Sequence, residues 1–233
     1  KKKKRGNDRQ GEHKKMYKAC LFDLDGTLLD TVESIAHIAN QVLAYYHLPP
    51  HPVEAYNYFA GDGADVLMER SIRAAGGDLA CLDEARKMYR SMFAKDPLYH
   101  VTAYEGMTQT LQTLKSRGVK LAVCTNKPHP AALGAIYGVY GKELFDMIQG
   151  QVPEIERKPS PQCALLIADR LGVQPEDCMY VGDTDTDMIT GRAAGMYTIG
   201  VLWGFRDRRE LEENHAQRII GHPSELLKIQ KGE

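Results

Sequence analysis

The sequence predicts an α/β fold, a doubly wound parallel sheet with an inserted all-helical cap. Three observations point there. From about residue 101 onward, short apolar runs alternate with helical patterns, which implies a parallel sheet covered on both faces. One strand-like run, Lys18–Asp23, stands apart from them, ahead of a span over residues 28–98 whose patterns are helical throughout. Finally, three strand-like runs end in polar residues: Asp23 and Asp25, then Thr125 and Asn126, then Asp183. In an open parallel sheet the carboxyl ends of the strands are where ligands bind.

Residues 1–15 hold eight Lys and Arg against Asp8 and Glu12, a net +6, leaving −7 for the remainder of a chain whose total is −1. With no large apolar side chain before Met16, this segment cannot join a core. It is expected to be a disordered basic extension, with Met16 the natural start of the folded body. Leu21-Phe22-Asp23-Leu24-Asp25-Gly26-Thr27 reads as a buried strand breaking into a turn. Glu33–Tyr46 carries Ile35, Ile38, Ala39, Val42, Leu43 and Tyr46 on one helical stripe, broken by Pro49, Pro50 and Pro52. A short helix to Phe59, a third from Ala64 to about Ala75 and a fourth from Asp78 to about Ala94 complete the insert.

Strict alternation follows. Glu105–Ser116 is helical, Val119–Cys124 a strand, Pro130–Tyr137 a helix, Phe145–Ile148 a strand and Pro161–Leu171 a helix. Cys178–Val181 is a strand ending in Gly182-Asp183, and a helix to Ala194 leads to strand Thr198–Val201. Helix Asp207–Glu213, strand Arg218–Ile220 and a final helix from Ser224 close the chain. The expected division is a tail over 1–15, a core over 16–32 and 99–233, and a cap over 33–98.

A mildly acidic body argues against a general nucleic-acid binder. The five cysteines are odd in number and form no C-x-x-C pair, which fits a reducing cytoplasm. No apolar run reaches the roughly 18 residues of a membrane span, and no signal-peptide pattern is present. Motifs for nucleotide cradles, zinc proteases and serine hydrolases are missing.

Side chains alternate along extended backbone, so Asp23 and Asp25 face the same way at a strand end. Asp and Gly also form turns, but two converging carboxylates are costly unless a cation or a shared proton balances them. Asp183 and Asp187 lie one helical turn apart in Gly182-Asp183-Thr184-Asp185-Thr186-Asp187. Acids there can cap a helix; with Asp23 at the same edge, a Mg²⁺ site is the better account. Thr125 and Asn126 offer a hydroxyl and an amide for phosphoryl oxygens or, alternatively, turn chemistry. Loop lysines are usually solvated, but an inward Lys158 would offset the acids and hold a phosphate.

In this order, D-x-D-G-T at 23–27, the strand-terminal Thr125, Lys158-Pro159 and G-D-x-x-x-D at 182–187 resemble the haloacid dehalogenase-like (HAD) hydrolase superfamily. The resemblance runs from about Met16 to the C-terminus. It implies a Rossmann-like core in which Asp23 attacks phosphorus and becomes an aspartyl phosphate. Asp25 would protonate the leaving oxygen and then deprotonate the hydrolytic water. Mg²⁺ would be held by Asp23, Asp183 and the backbone carbonyl of Asp25, with Asp187 in support. Thr125 and Lys158 would bind the phosphoryl group, assisted by Asn126, Gly26 and Thr27. Relatives that dehalogenate lack an acid at the position of Asp25.

Within the superfamily, Asp25–Thr31, Gly61–Arg70, Thr125–Pro128 and Val201–Arg206 resemble phosphoglycolate phosphatases. The helical insert would then be a lid, and the Gly61–Gly63 loop would hold a small carboxylate on free backbone N–H groups. Alternatively, this loop is an ordinary helix start with Asp62 as its cap. Asp62 departs from the neutral amide the resemblance implies, and a carboxylate there would repel a carboxylated substrate unless it turned outward. The expected partner is a small phosphorylated metabolite, with neither nucleic acid nor membrane, acting as monomer or homodimer. Alternatives are a sugar-phosphate or pyrophosphate hydrolase, a β-phosphoglucomutase-like enzyme, or a silent phosphate-binding module.

Overall fold

The computed structural model describes residues 15–233. The expected disordered tail therefore lies, but for Lys15, outside the described residues. β1 (Ala19–Phe22) occupies the middle of a six-stranded sheet. On one side stand β4 (Lys120–Pro128) and β5 (Met147–Gln151). On the other stand β6 (Cys178–Gly182), β7 (Tyr197–Val201) and β8 (Arg218–Ile220). Every pairing in this sheet is parallel. The chain leaves β1, builds outward to β5, then crosses back to β6. The strand order therefore reverses beside β1, and a crevice opens at the carboxyl ends of β4, β1 and β6.

Period-two alternation divides the sheet between two apolar layers. Cys20, Phe22, Leu121, Val123, Met179 and Val181 point into one, against α5 (Met107–Ser116), α6 (His129–Tyr140) and α10 (Leu226–Ile229). Ala19, Leu21, Ala122, Cys124, Cys178 and Tyr180 point into the other, against α7 (Gln162–Leu171). Strands buried on both faces carry near-continuous apolar runs, as parallel sheets require. Replacing fully buried Phe22 with alanine would cost about 3–5 kcal/mol in such a core.

The helical block comprises α1 (Val32–Tyr45), α2 (Tyr56–Phe59), α3 (Ala64–Ala74) and α4 (Leu82–Lys95). It buries its own apolar cluster, including Val42, Leu43, Tyr56, Met68 and Ile72, to which the sheet region adds only Ala131 and Phe205.

Three sequence expectations are corrected. Residues 28–98 are not wholly helical: β2 (Leu29–Asp30) pairs antiparallel with β3 (Thr102–Ala103), a ribbon where the block joins the sheet. Two-residue strands are too short to leave a periodic pattern. β4 does not stop at Cys124 but runs to Pro128 through a register irregularity, because Pro128 still meets Gln151 on β5. Elsewhere boundaries move by a few residues. Asp78 caps only a 3₁₀ turn, so α4 begins at Leu82, and the last helix is a 3₁₀ turn at Pro223–Glu225 followed by α10. Third, Asp62 is not a helix cap. Gly63 precedes α3 with a positive φ of 92°.

Candidate functional site

β1 ends at Phe22, so Asp23 stands at the first position beyond the sheet, where its N–H still donates to Val181 on β6. Leu24 is buried in the core between Asp23 and Asp25, which leaves both carboxylates facing one cavity. α8 (Asp185–Ala193) begins just after β6 and brings up Asp183 and Asp187. One carboxylate oxygen from each of Asp23, Asp183 and Asp187 lies within 4.8 Å of the others.

These acids are not equivalent. Asp187 closes a capping box with Thr184, and its Oδ2 accepts from the N–H groups of Asp183 and Thr184 and from the Thr184 hydroxyl. Its Oδ1 takes the Lys158 ammonium at 2.7 Å. Of the two sequence readings of this segment, capping falls to Asp187, whose oxygens are committed. Asp183, fully buried, accepts one bond on each oxygen, from the Thr27 hydroxyl at 2.9 Å and the Phe205 N–H at 2.8 Å, so each keeps a lone pair. Asp23 gives Oδ1 to Lys158 at 3.0 Å.

Burial, reinforced by Asp187, pushes the Asp23 carboxyl up to about 7 despite Lys158. Burial likewise holds Asp183 well above the usual carboxylate range. For Lys158, burial alone would lower proton affinity, but Asp187 and Asp23 outweigh it and keep the ammonium firmly charged. With every group ionised, Asp23, Asp25, Asp183 and Asp187 stand against two buried ammonium groups, Lys127 and Lys158. That leaves an excess of two negative charges and hard oxygen donors with free lone pairs, a donor set suited to a divalent cation.

Asn126 reaches neither acid. Its amide oxygen accepts from the Lys158 N–H at 2.9 Å and its nitrogen donates to the Lys158 carbonyl at 3.1 Å, a two-point clamp that fixes the lysine's backbone. Thr125 lines the cavity, and its hydroxyl accepts from the Lys127 N–H at 3.1 Å. Thr27 steadies Asp183, and Gly26 makes room for it. A Cβ on Gly26 would lie 2.3 Å from the Asp183 carboxylate, and φ there is +82°. Gly204 is equally constrained, its would-be Cβ meeting Asp183 and the Gly26 carbonyl at 2.3 Å.

The sequence reading passed over Gly204, the Phe205 N–H and above all Lys127. The Lys127 ammonium lies 2.9 and 3.2 Å from the two oxygens of Asp25. Two-residue alternation from Thr125 would have found it, had β4 been carried past Cys124.

The helical block closes this cavity. Ile35, Leu67, Tyr89 and Phe93 face Asp23 and Asp25 across a partly open cavity, which Gly61 and Gly63 also line. Three hydrogen bonds fasten the Ala60–Asp62 loop to the sheet side. Arg206 donates to the Ala60 carbonyl at 3.0 Å, Asn126 to the Gly61 carbonyl at 3.5 Å and the Thr186 hydroxyl to Asp62 at 2.7 Å. Burial would raise the Asp62 carboxyl, but hydrogen bonds from Thr186 and Arg70 prevail and hold it below the usual range. Its charge is thus spent on Arg70 and Thr186.

Residues 20–201 match the family model described as haloacid dehalogenase-like hydrolase. The chain belongs to the haloacid dehalogenase-like hydrolase family. It is 30% identical to phosphoglycolate phosphatase of Pectobacterium atrosepticum, over 89% of this chain and 90% of that one. It is 31% identical to phosphoglycolate phosphatase of Aquifex aeolicus, over 91% and 96%. Among solved structures, a candidate phosphoglycolate phosphatase from Lactobacillus delbrueckii subsp. bulgaricus superposes with a TM-score of 0.87 at 27% identity, covering 94% of this chain and all of that one. CbbY from Rhodobacter sphaeroides, solved with phosphate, gives 0.73 at 26% identity, over 91% and 96%. This HAD-like hydrolase is thus phosphoglycolate phosphatase-like, a phosphoric monoester hydrolase. No helix among the described residues is long and apolar enough to cross a membrane.

Proposed function

We propose that the chain hydrolyses a small carboxylated phosphomonoester, phosphoglycolate foremost, with Mg²⁺ and through an aspartyl phosphate on Asp23. The observation that carries this reading is the meeting of Asp23 and Asp183, each buried with lone pairs to spare, beside the Lys158 ammonium. Asp23, Asp183 and the Asp25 carbonyl would hold the ion, while Asp187 serves by fixing Lys158 and capping α8. Bound there, Mg²⁺ would offset the charge of the phosphoryl oxygens and of the acids around them.

An Asp23 carboxylate oxygen attacks phosphorus; its O–P bond forms as the ester P–O bond breaks. Asp25 hands its proton to the departing alkoxide. A water then attacks the aspartyl phosphate and returns a proton to Asp25, releasing inorganic phosphate and restoring Asp23. Lys158, held by Asn126, and Thr125 position the phosphoryl oxygens. The helical block acts as the cap domain and keeps bulk water from the leaving group.

A phosphate-release screen over phosphorylated metabolites, with Mg²⁺ and with chelator, tests the reading. Phosphoglycolate should lead, chelator should abolish turnover, and Asp23→Asn should lower the rate by at least about 10⁴-fold. Turnover surviving Asp23→Asn would overturn the nucleophile.

A further inference from the structure

Lys127 has a position that the chemistry above does not use. It comes from the extended end of β4, two residues after Thr125, and its side chain is only 5% exposed. Its ammonium sits 4.1 Å from the centroid of the Phe93 ring on α4, so the helical block lies directly over it. The cavity wall also carries the apolar Ile35, Leu67, Phe93 and Ala131 and the neutral polar groups of Tyr89, Thr125 and Asn126. Asp183, Asp187 and Lys158 do not line this space, which is therefore the leaving-group side. Arg90 is the other cation on the wall, but it is 41% exposed and paired with Asp65. Lys127 is thus the buried cation that a leaving group meets here among the described residues.

An ammonium has three donors. Asp25 engages two of them at most, one on each oxygen. Out of water, the remaining donor is worth far more to an anion than the screened Arg90. We propose that Lys127 is the specificity-determining residue of this site: it selects phosphomonoesters whose alcohol carries a carboxylate by donating to that carboxylate. The inference rests on the phosphatase reading and adds to it the group that recognises the substrate class.

The test compares kcat/KM for 2-phosphoglycolate and for ethyl phosphate, which lacks the carboxylate, in the full chain with Mg²⁺. Wild type, Lys127→Met and the shorter, neutral Lys127→Gln are measured together. The preference for phosphoglycolate should fall about 100-fold in Lys127→Met, because a site built to hydrogen-bond a group loses its discrimination with the donor, and by less in Lys127→Gln, whose amide keeps a donor without the charge. A preference in Lys127→Met within threefold of wild type would overturn the proposal and leave Lys127 a prop for Asp25. On wild type alone, glycolate should inhibit competitively and ethylene glycol should not; equal inhibition also overturns it. If wild type hydrolyses neither ester, the phosphatase reading itself has failed. In that event a melting-temperature rise with glycolate, lost in Lys127→Met, still decides the role of Lys127.

Discussion

Asp183 shows how closely single atoms are specified here. Its carboxylate is wedged between Gly26 and Gly204, held by Thr27 and the Phe205 N–H, in a gap that admits no extra methyl group. Gly204→Ala should therefore push Asp183 aside, reducing turnover by about 100-fold or more while the fold survives. Steady-state kinetics beside circular dichroism would check this. At this scale the sequence was partly legible. Asp23, Asp25, Thr125 and Asp183 stood out because strand ends bear polar residues where apolar runs stop, Asp187 because it follows Asp183 by one helical turn, and Lys158, in a loop, through the order of the motifs. Gly204 and Phe205 did not, since a close approach and a backbone donor leave no chemical mark. Asn126 was visible, but its work on the Lys158 backbone depends on a loop that sequence separation hides.

Among the elements, the Ala60–Asp62 loop joins the helical block to the sheet side through a few hydrogen bonds, from Arg206, Asn126 and Thr186. Losing the Thr186 hydroxyl removes one bond and leaves Asp62 with Arg70 alone, a loss of about 0.5–1.5 kcal/mol. Thr186→Val should accelerate amide exchange across residues 60–67 by about threefold to tenfold. Unchanged exchange would mean that the loop is held by packing. The order of helices and strands was readable from periodicity, because both faces of a parallel sheet must be apolar. The β2–β3 ribbon and the end of β4 were not, because pairing with a distant strand defined them and local pattern did not.

For the molecule as a whole, the buried acids tie stability to pH and metal. Asp23 is pushed up to about 7 from an ordinary 3.8, so between those values the unfolded chain binds fewer protons than the folded one. Stability from this group is therefore full below about pH 4 and lost as pH rises through 7, and Asp183 shifts in the same direction. A divalent ion bound at the proposed site would replace the missing protons. Mg²⁺ should raise the melting temperature by several °C more at pH 7.5 than at pH 5. Differential scanning fluorimetry at both pH values would show it, and an equal rise would speak against Asp23 and Asp183 as ligands.

The ribbon of Leu29–Asp30 against Thr102–Ala103 has a consequence of another kind. Entry to and exit from the helical block run side by side, so the block hangs from a single neck. A different cassette with matching ends can replace everything between Asp30 and Thr102 without opening the sheet. Such an exchange would change the wall of Ile35, Leu67, Tyr89 and Phe93 while Asp23, Asp25 and Lys127 stay where they are.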